Sequence, residues 1–390
     1  MKKTILLPFL VIQTLAVSAY SADYLKFSQA CSSDEDVQVI AVGDILLHGP
    51  LQTQATKDPQ RYKSLWATMI PMISGADVAY ANLEGPVAEN TLQSGREKDV
   101  GFIYDKEVYS SYPRFNYPNL LPLDIKNSGF DVVSTANNHA MDRTSVGADK
   151  TIQALDAAGL QHTGTKSSQP GEGETWYTIT RAKDRNIAWL ACSFSTNGVP
   201  DKFQQVLPCF EHREKLLGLI TELSQRHDID AVIVTPHWGV EYELTHNKAQ
   251  EQLGHQMIEA GALAVIGTHP HVIQQWEKYT TKTGREGFII YSTGNFVSGQ
   301  SPQERRTSMM ISLHLTAKPT EKLQIRGLEY IPLLITRTNK YQVVDARQKY
   351  LAGTAPAQSD GIWTNNFSKE QIMRDSAQES LNYICNRSKN

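Results

Sequence analysis

Apolar residues along this chain switch between two spacings, and the switches mark out its elements. Val37 to Val42 alternates, and Asp77 to Leu83, Asp131 to Ala136, Ala231 to Thr235 and Leu263 to Gly267 are short apolar runs that read as strands. Between them lie helical spacings: Tyr62 to Ile73 with Leu65, Met69 and Met72 in step, Ser145 to Ala158 stopped by Gly159, the amphipathic Glu211 to Arg226, and Lys248 to Ala260 stopped by Gly261. Strands and helices alternating at these lengths predict βαβ units and a largely parallel sheet. Trp176 to Ser193 predicts a hairpin turning at Lys183-Asp184-Arg185. After Gln275 the helical spacing stops, and Trp276 to Thr280, Gly287 to Ser292, Met309 to Thr316 and Leu323 to Leu334 predict antiparallel strands that close the domain. Residues 86–119 carry many Gly, Asn, Pro, Tyr and Ser and little period, which predicts a long loop or small insertion; loops of that length are usually functional or mobile. One α/β domain over residues 36–350 is expected, then a linker and a C-terminal helix (Lys369 to Tyr383) within 351–390.

Ahead of that domain, Lys2 and Lys3 precede an apolar run from Ile5 to Val17, and small residues follow up to Ala22. This order predicts a secretory signal peptide over residues 1–22, cleaved after Ala19, Ser21 or Ala22, and a secreted or periplasmic protein. An uncleaved anchor is the alternative, disfavoured by Gln13 inside a run already short for spanning. Cys31, Cys192, Cys209 and Cys385 then form an even set in an exported chain, which suggests disulfides, with free buried thiols as the alternative. Cys192 and Cys209 flank a turn-rich segment that a bridge could close, and Cys31 and Cys385 lie near the two ends. With no C-x-x-C spacing, a cysteine zinc site or redox motif is not expected. The 38 Lys and Arg against 41 Asp and Glu argue against nucleic-acid binding, which needs a concentrated basic excess.

Polar residues follow the apolar strands at corresponding places: Asp44 in VGDILLH, Glu84 in ANLEGP, Asn138 and His139 in TANNHAMD, His237 in TPHWGVEYE, and His269 and His271 in GTHPHV. In an open α/β sheet the carboxyl ends of the strands form the crevice where ligands bind, so five segments deliver their groups to one edge. Imidazole, carboxylate and amide oxygen without thiolate suit one or two divalent ions of borderline character, Mn, Fe or Zn. Two such ions bridged by a carboxylate polarise a substrate oxygen and lower the pKa of a bound water toward neutrality. The alternation His269-Pro270-His271 permits one histidine per metal.

The motifs GDILLH, NLEGP, NNHAMD, HWGVEYE, GTHPHV and YSTGNF, in this order over about Val37 to Val297, resemble the CapA family of poly-γ-glutamate capsule-synthesis proteins. The family in turn resembles the calcineurin-like metallophosphoesterases, which implies two facing mixed β-sheets flanked by helices, an α/β/β/α arrangement, with a two-metal site at the strand ends. The resemblance implies that Asp44 and Glu84 are metal carboxylates, Glu84 the bridging one. It implies that Asn138, His237 and His269 complete one site and His271 the other, and that His139 protonates a leaving oxygen. Two positions depart from the phosphoesterase pattern: Leu46 stands where it has a histidine, and Glu84 stands where it has an aspartate. The nearest histidine, His48, is a ligand, a substrate contact or a cap.

Four further residues are candidate substrate contacts. Glu241 and Tyr242 follow His237 closely enough to orient it or reach substrate, unless they lie in a solvated loop. Arg143 could hold phosphate or carboxylate as a planar fork, or form a surface salt bridge. Asn295 in YSTGNF reads as a turn residue beside the site. No serine-hydrolase elbow, phosphate-binding loop or dinucleotide fingerprint occurs. The functional expectation is an exported, metal-dependent hydrolase-type protein in synthesis, export or processing of poly-γ-glutamate or a related polymer. Its substrate would be an anionic polymer or a phosphoester, and its partner a membrane-bound capsule-synthesis complex. The alternatives are a noncatalytic polymer- or partner-binding accessory and a periplasmic phosphoesterase with an unrelated substrate.

Overall fold

Strands that carry apolar side chains on both faces must be covered on both faces, and here two such sheets cover each other. The computed structural model describes residues 27–346, apart from Cys31, Ser33, Glu35 and Thr338. The expected signal peptide, Cys31, Cys385, the linker and the C-terminal helix lie outside the described residues. In the first sheet β1 (Val37–Leu46), β2 (Val78–Leu83), β3 (Val132–Ser134) and β4 (Gln161–Thr163) pair in parallel. In the second, β5 (Tyr177–Ala182) and β6 (Arg185–Ser193) form the expected hairpin, and β7 (Ala231–His237) and β8 (Ala264–Ile266) follow in parallel. β9 (Trp276–Thr280) is the antiparallel edge of that sheet, paired with β10 (Glu286–Ile290). The short β11 (Val297–Ser298) returns to the first sheet and lies parallel to β1. β12 (Thr307–Thr316), β13 (Gln324–Thr336) and β14 (Gln342–Asp345) extend the far side of β1 in antiparallel order.

Each strand splits its apolar residues between two cores. Val39 and Ala41 of β1, with Tyr80 and Val132, face Trp189, Ile233, Ile266 and Phe288 of the other sheet. Tyr80 and Trp189 stack with centroids 5.2 Å apart. Ile40 and Val42 point the other way, onto Leu51 and Ala55 of α1 (Gly49–Lys57), Ile73 of α2 (Ile70–Ile73), Leu121 and Ile125 of α3 (Leu120–Lys126) and Leu155 of α4 (Thr144–Ala157). Behind the second sheet, Leu216, Ile220 and Leu223 of α5 (Arg213–Gln225) and Leu253 and Met257 of α6 (Lys248–Ala260) cover Leu190, Val232, Val234 and Val265. Each fully buried side chain of this size contributes about 1.5–3 kcal/mol. The result is the expected α/β/β/α arrangement of two mixed sheets flanked by helices.

Three local expectations are corrected. Residues 62–73 do not form one helix: Arg61–Leu65 and Ala67–Met69 are 3-10 turns, and α2 starts afresh at Ile70, where Pro71 is favoured because an N-terminal helical residue needs no N–H partner. β10 does not join an antiparallel closure throughout; it runs parallel to β8 and antiparallel only to β9. Helix α1 was not expected at all, because only Leu51 and Ala55 mark its apolar side. The helix that leads into the site edge is strongly delimited: Asn247 and Gln250 cap α6 reciprocally, and Gly261 ends it at φ 125°.

Candidate metal centre

The parallel strands of both sheets end at one edge, and each ends in a polar group. Asp44 stands two residues before the end of β1, Glu84 directly follows β2, β3 leads to Asn138 and His139, β7 ends in His237, and the segment after β8 carries His269 and His271. The pairing register of β1 with β2 slips between Ala41 and Asp44, an irregularity of the kind that re-aims side chains beside active sites. Gly43 makes the slip possible: a Cβ there would sit 1.8 Å from the carbonyl oxygen of Gly294, which accepts the Asp44 N–H at 3.2 Å. His269 (φ 98°) and His271 (φ 60°) both adopt left-handed backbone around Pro270. Such conformations cost about 1–3 kcal/mol each and persist where the surroundings hold them.

The ligand-type atoms fall into two groups. Asp44, Glu84 and His237 offer atoms all within 4.8 Å of one another, and so do Glu241, His269 and His271. Glu84 lies between them, with Oε1 3.7 Å from His237 Nε2 and 3.8 Å from His271 Nε2. Asn138 Oδ1 is 2.9 Å from His237 Nε2. This grouping differs from the expected partition, in which His269 belonged with His237: the His237 and His269 rings are close, at 4.8 Å between centroids, but His269 shares its group with His271 and Glu241. His271 Nδ1 is held between Asp44 Oδ2 (3.1 Å) and Asn295 Oδ1 (3.0 Å).

Electrostatics single out Glu84. It is completely buried, and neither carboxylate oxygen has a hydrogen-bond partner among the described residues. Burial, then the nearby Asp44 carboxylate, pushes its pKa well above the usual range. His237 and His269 are pushed well below theirs, by burial first and then by neighbouring imidazoles. A bare buried carboxylate beside neutral imidazoles is costly on its own, since an unpaired buried charge has no compensation. A divalent cation reverses each of these penalties at once, because it favours ionised carboxylates and takes neutral imidazole lone pairs. The donor set present therefore fits a divalent cation.

The remaining expected residues divide. His139 stands beside the centre, its Nδ1 2.7 Å from Asp142 Oδ2, while its Nε2 has no hydrogen-bond partner among the described residues. His48 lies outside both ligand groups. Its Nδ1 accepts the Gly299 N–H at 3.2 Å, Phe115 stands edge-on to both His48 and His139, and burial lowers the His48 pKa to about 4. Asn295 bonds His271 through its oxygen and donates to the Arg305 carbonyl, so it wedges the YSTGNF turn against the site. Tyr242 lies tilted against His271, with ring centroids 6.0 Å apart, and Glu241 joins the second ligand group.

Arg143 is a correction. It is 1% exposed, and its guanidinium donates to the carbonyls of Thr91, Glu107, Val108, Phe115 and Asp142 and to Ser110 Oγ. With its donors spent on the 86–119 insertion, it fastens that segment instead of holding an anion. The insertion in turn walls the site: Tyr117 accepts the Leu47 N–H and donates to the Glu84 carbonyl.

Three contributors were not anticipated. Asn82 donates to Asp44 Oδ1 at 2.7 Å, Thr268 Oγ1 lies 2.9 Å from His237 Nδ1, and Asp142 orients His139. Partners of this kind fix the orientation and proton placement of ligand side chains. Spacing carried a usable signal for two of them: Asn82 is two residues before Glu84 on an alternating strand, and Asp142 is three after His139.

The Haemophilus influenzae NAD nucleotidase overlays 91% of this chain and 60% of its own at 10% identity and a TM-score of 0.44, a likeness that says nothing about chemistry. The capsule biosynthesis protein CapA of Bacillus anthracis is 25% identical over 381 residues, covering 93% of this chain and 85% of that protein. The PGA biosynthesis protein CapA of Bacillus subtilis is 26% identical over 302 residues, covering 76% and 72%. Residues 38–300, which hold every strand-end group of the centre except the Arg305 carbonyl against Asn295, match the family described as bacterial capsule synthesis protein PGA_cap, and the chain belongs to that family.

Proposed function

We propose that this protein is an exported, metal-dependent hydrolase-type member of its family, acting in synthesis, export or processing of poly-γ-glutamate or a related anionic surface polymer alongside a membrane-bound capsule-synthesis complex. The observation that carries the reading is Glu84, fully buried with two unpartnered carboxylate oxygens between His237 and His271. Asp44, Glu84, His237 and Asn138 would hold one divalent ion, and His269, His271 and Glu241 a second, with Mn, Fe or Zn as the candidates. A divalent ion there supplies Lewis-acid polarisation of a substrate oxygen and a lowered pKa for water. The protein's own part is proton placement. Asp142 Oδ2 accepts a hydrogen bond from His139 Nδ1–H at 2.7 Å, which holds the ring so that Nε2, when protonated, faces away from Asp142 and can deliver its proton to the departing oxygen or nitrogen.

Export is supported by the charged and apolar N-terminal pattern and by the Cys192–Cys209 disulfide, a bond suited to an oxidising compartment. No helix among the described residues is long and apolar enough to cross a membrane. The test is elemental analysis of protein supplemented with Mn, Fe and Zn, followed by a panel of phosphoesters and γ-glutamyl peptides. Bound divalent metal with turnover of γ-glutamyl peptides is the expected result. Metal without turnover of anything points to the accessory reading, turnover of phosphoesters alone to an unrelated substrate, and no bound metal removes the centre.

A further inference from the structure

With Arg143 committed to backbone carbonyls and Arg114 placed 4.0 Å from Asp142, a site built for an anionic substrate calls for a further cationic side chain to receive it. Arg305 stands where one is needed. It belongs to the 3-10 turn Gln303–Arg305 that follows β11, and its carbonyl accepts the Asn295 Nδ2 proton at 2.9 Å. Asn295 bonds His271 at 3.0 Å, so the Arg305 backbone is two hydrogen bonds from a candidate ligand.

The guanidinium has a contact of its own. Its carbon lies 3.3 Å over the Tyr242 ring, and Tyr242 is itself fixed by left-handed backbone (φ 70°) and an N–H bond to the Pro270 carbonyl at 2.8 Å. Pro270 separates His269 from His271, so the platform under Arg305 is tied to both. Arg61, Arg185 and Arg326 each lie within reach of an aspartate. Arg305 shows no such pairing among the described residues, and its Nε is buried without an acceptor. A guanidinium stacked on an aromatic face loses much of its rotamer freedom yet keeps its in-plane donors available for two parallel hydrogen bonds to an oxyanion. An arginine with no carboxylate of its own, pinned beside a cluster of ligand groups, is a receptor arranged in advance.

We propose that Arg305, on its Tyr242 platform, binds an oxyanion of the substrate beside the metal centre and so selects for anionic substrates. This rests on the reading of the centre given above. The oxyanion is either a carboxylate of a γ-linked glutamate chain or the phosphate of a phosphoester, and the fork geometry suits both.

The experiment is calorimetric titration of full-length protein, wild type and the variants Arg305→Gln and Arg305→Lys, with inorganic phosphate and separately with a γ-linked glutamate tetramer. Metal content and thermal melting are measured on the same samples. Arg305→Gln is expected to weaken at least one probe roughly tenfold or more, with Arg305→Lys intermediate because it keeps charge without the fork, and with metal content and melting unchanged. Loss confined to phosphate identifies a phosphoester, and loss confined to the tetramer identifies the polymer. Wild-type affinity of Arg305→Gln for both probes, or no binding of either probe by the wild type, overturns the proposal. Absence of metal from every sample would overturn the metal centre instead, and Arg305 is then judged by the same titrations on the metal-free protein.

Discussion

The two edges of the sandwich both bury charge, and they treat it in opposite ways. Where the central strands begin, each charge meets its partners: Arg185 reaches Asp230 at 3.1 Å and donates to the Glu321 and Lys318 carbonyls, and His314 lies 3.2 Å from Asp36 and 3.6 Å from Glu329. At the opposite edge, where the parallel strands end, Glu84 has no hydrogen bond to either oxygen among the described residues and three histidines crowd together. A satisfied buried charge holds the fold, while an unsatisfied one is kept for something that binds. The edges can therefore be told apart by what removing one charge does.

The largest contrast is expected from Glu84→Gln set against Asp230→Ala. Glu84→Gln should abolish retained metal, a loss of roughly 100-fold or more in affinity, while leaving metal-free melting unchanged or raised, because an uncompensated buried carboxyl is gone. Asp230→Ala should leave metal content alone and cost on the order of 2 kcal/mol by removing the carboxylate that accepts from Arg185 and from the Asn186 N–H. Within the site edge, His237→Ala and His269→Ala should lower metal content more than His48→Ala, since His48 lies outside both ligand groups. Equal losses for all three would place His48 among the ligands.

His139→Ala sharpens the comparison inside the functional edge. A proton donor held by Asp142 contributes roughly 100- to 10,000-fold to rate and little to metal affinity, so turnover of an identified substrate should collapse while metal content stays at the wild-type level. Retained metal with unchanged turnover would remove the acid role. Lost metal would make His139 a ligand.

The functional edge was more legible in sequence than the structural one, for a physical reason. Asp44, Glu84, His237, His269 and His271 each stand just after an apolar run, so strand ends alone bring them together. Arg143 looks identical in sequence whether it faces solvent or backbone, because all but one of its acceptors, Ser110 Oγ, are backbone carbonyls that any side chain could have accompanied. Arg305 lies outside the conspicuous motifs and gains meaning only from Tyr242, 63 positions away in the chain. The direction of β10 was illegible too: it is buried on both faces, and apolar pattern does not distinguish parallel from antiparallel pairing.

The Cys192–Cys209 disulfide joins the end of β6 to the segment at Pro208, which bridges Ser193 in parallel, and stands beside Phe194, whose ring centroid lies 4.3 Å from that of His269. The even cysteine count in a chain expected to be exported, with a turn-rich segment between these two, predicts it, and it is present with a sequence separation of 17. A loop of this size implies about 3 kcal/mol of stabilisation. Replacing both cysteines by serine should lower the urea midpoint accordingly. A double variant as stable as the wild type would show that native packing, and not the crosslink, holds this end of the strand.

The smallest expected effect tests the satisfied edge through pH. Burial opposes a charge on His314, but hydrogen bonds to Asp36 and Glu329 more than offset it and raise the pKa to about 9. The hydrogen bond from His314, ahead of the opposing effect of burial, lowers that of Asp36, with Arg326 and Lys183 adding to it. A folded pKa above the unfolded value of 6.5 means that the histidine's contribution is complete below about pH 6.5 and fades as pH rises through about 9. The aspartate's contribution runs the other way, present above its ordinary 3.8 and lost as pH falls below it. Wild type should therefore exceed His314→Gln in urea stability by on the order of 2 kcal/mol near pH 6, and the gap should close near pH 10. A gap that does not change between those pH values would mean that His314 packs as a neutral ring, and that this edge is held by shape instead of by paired charge.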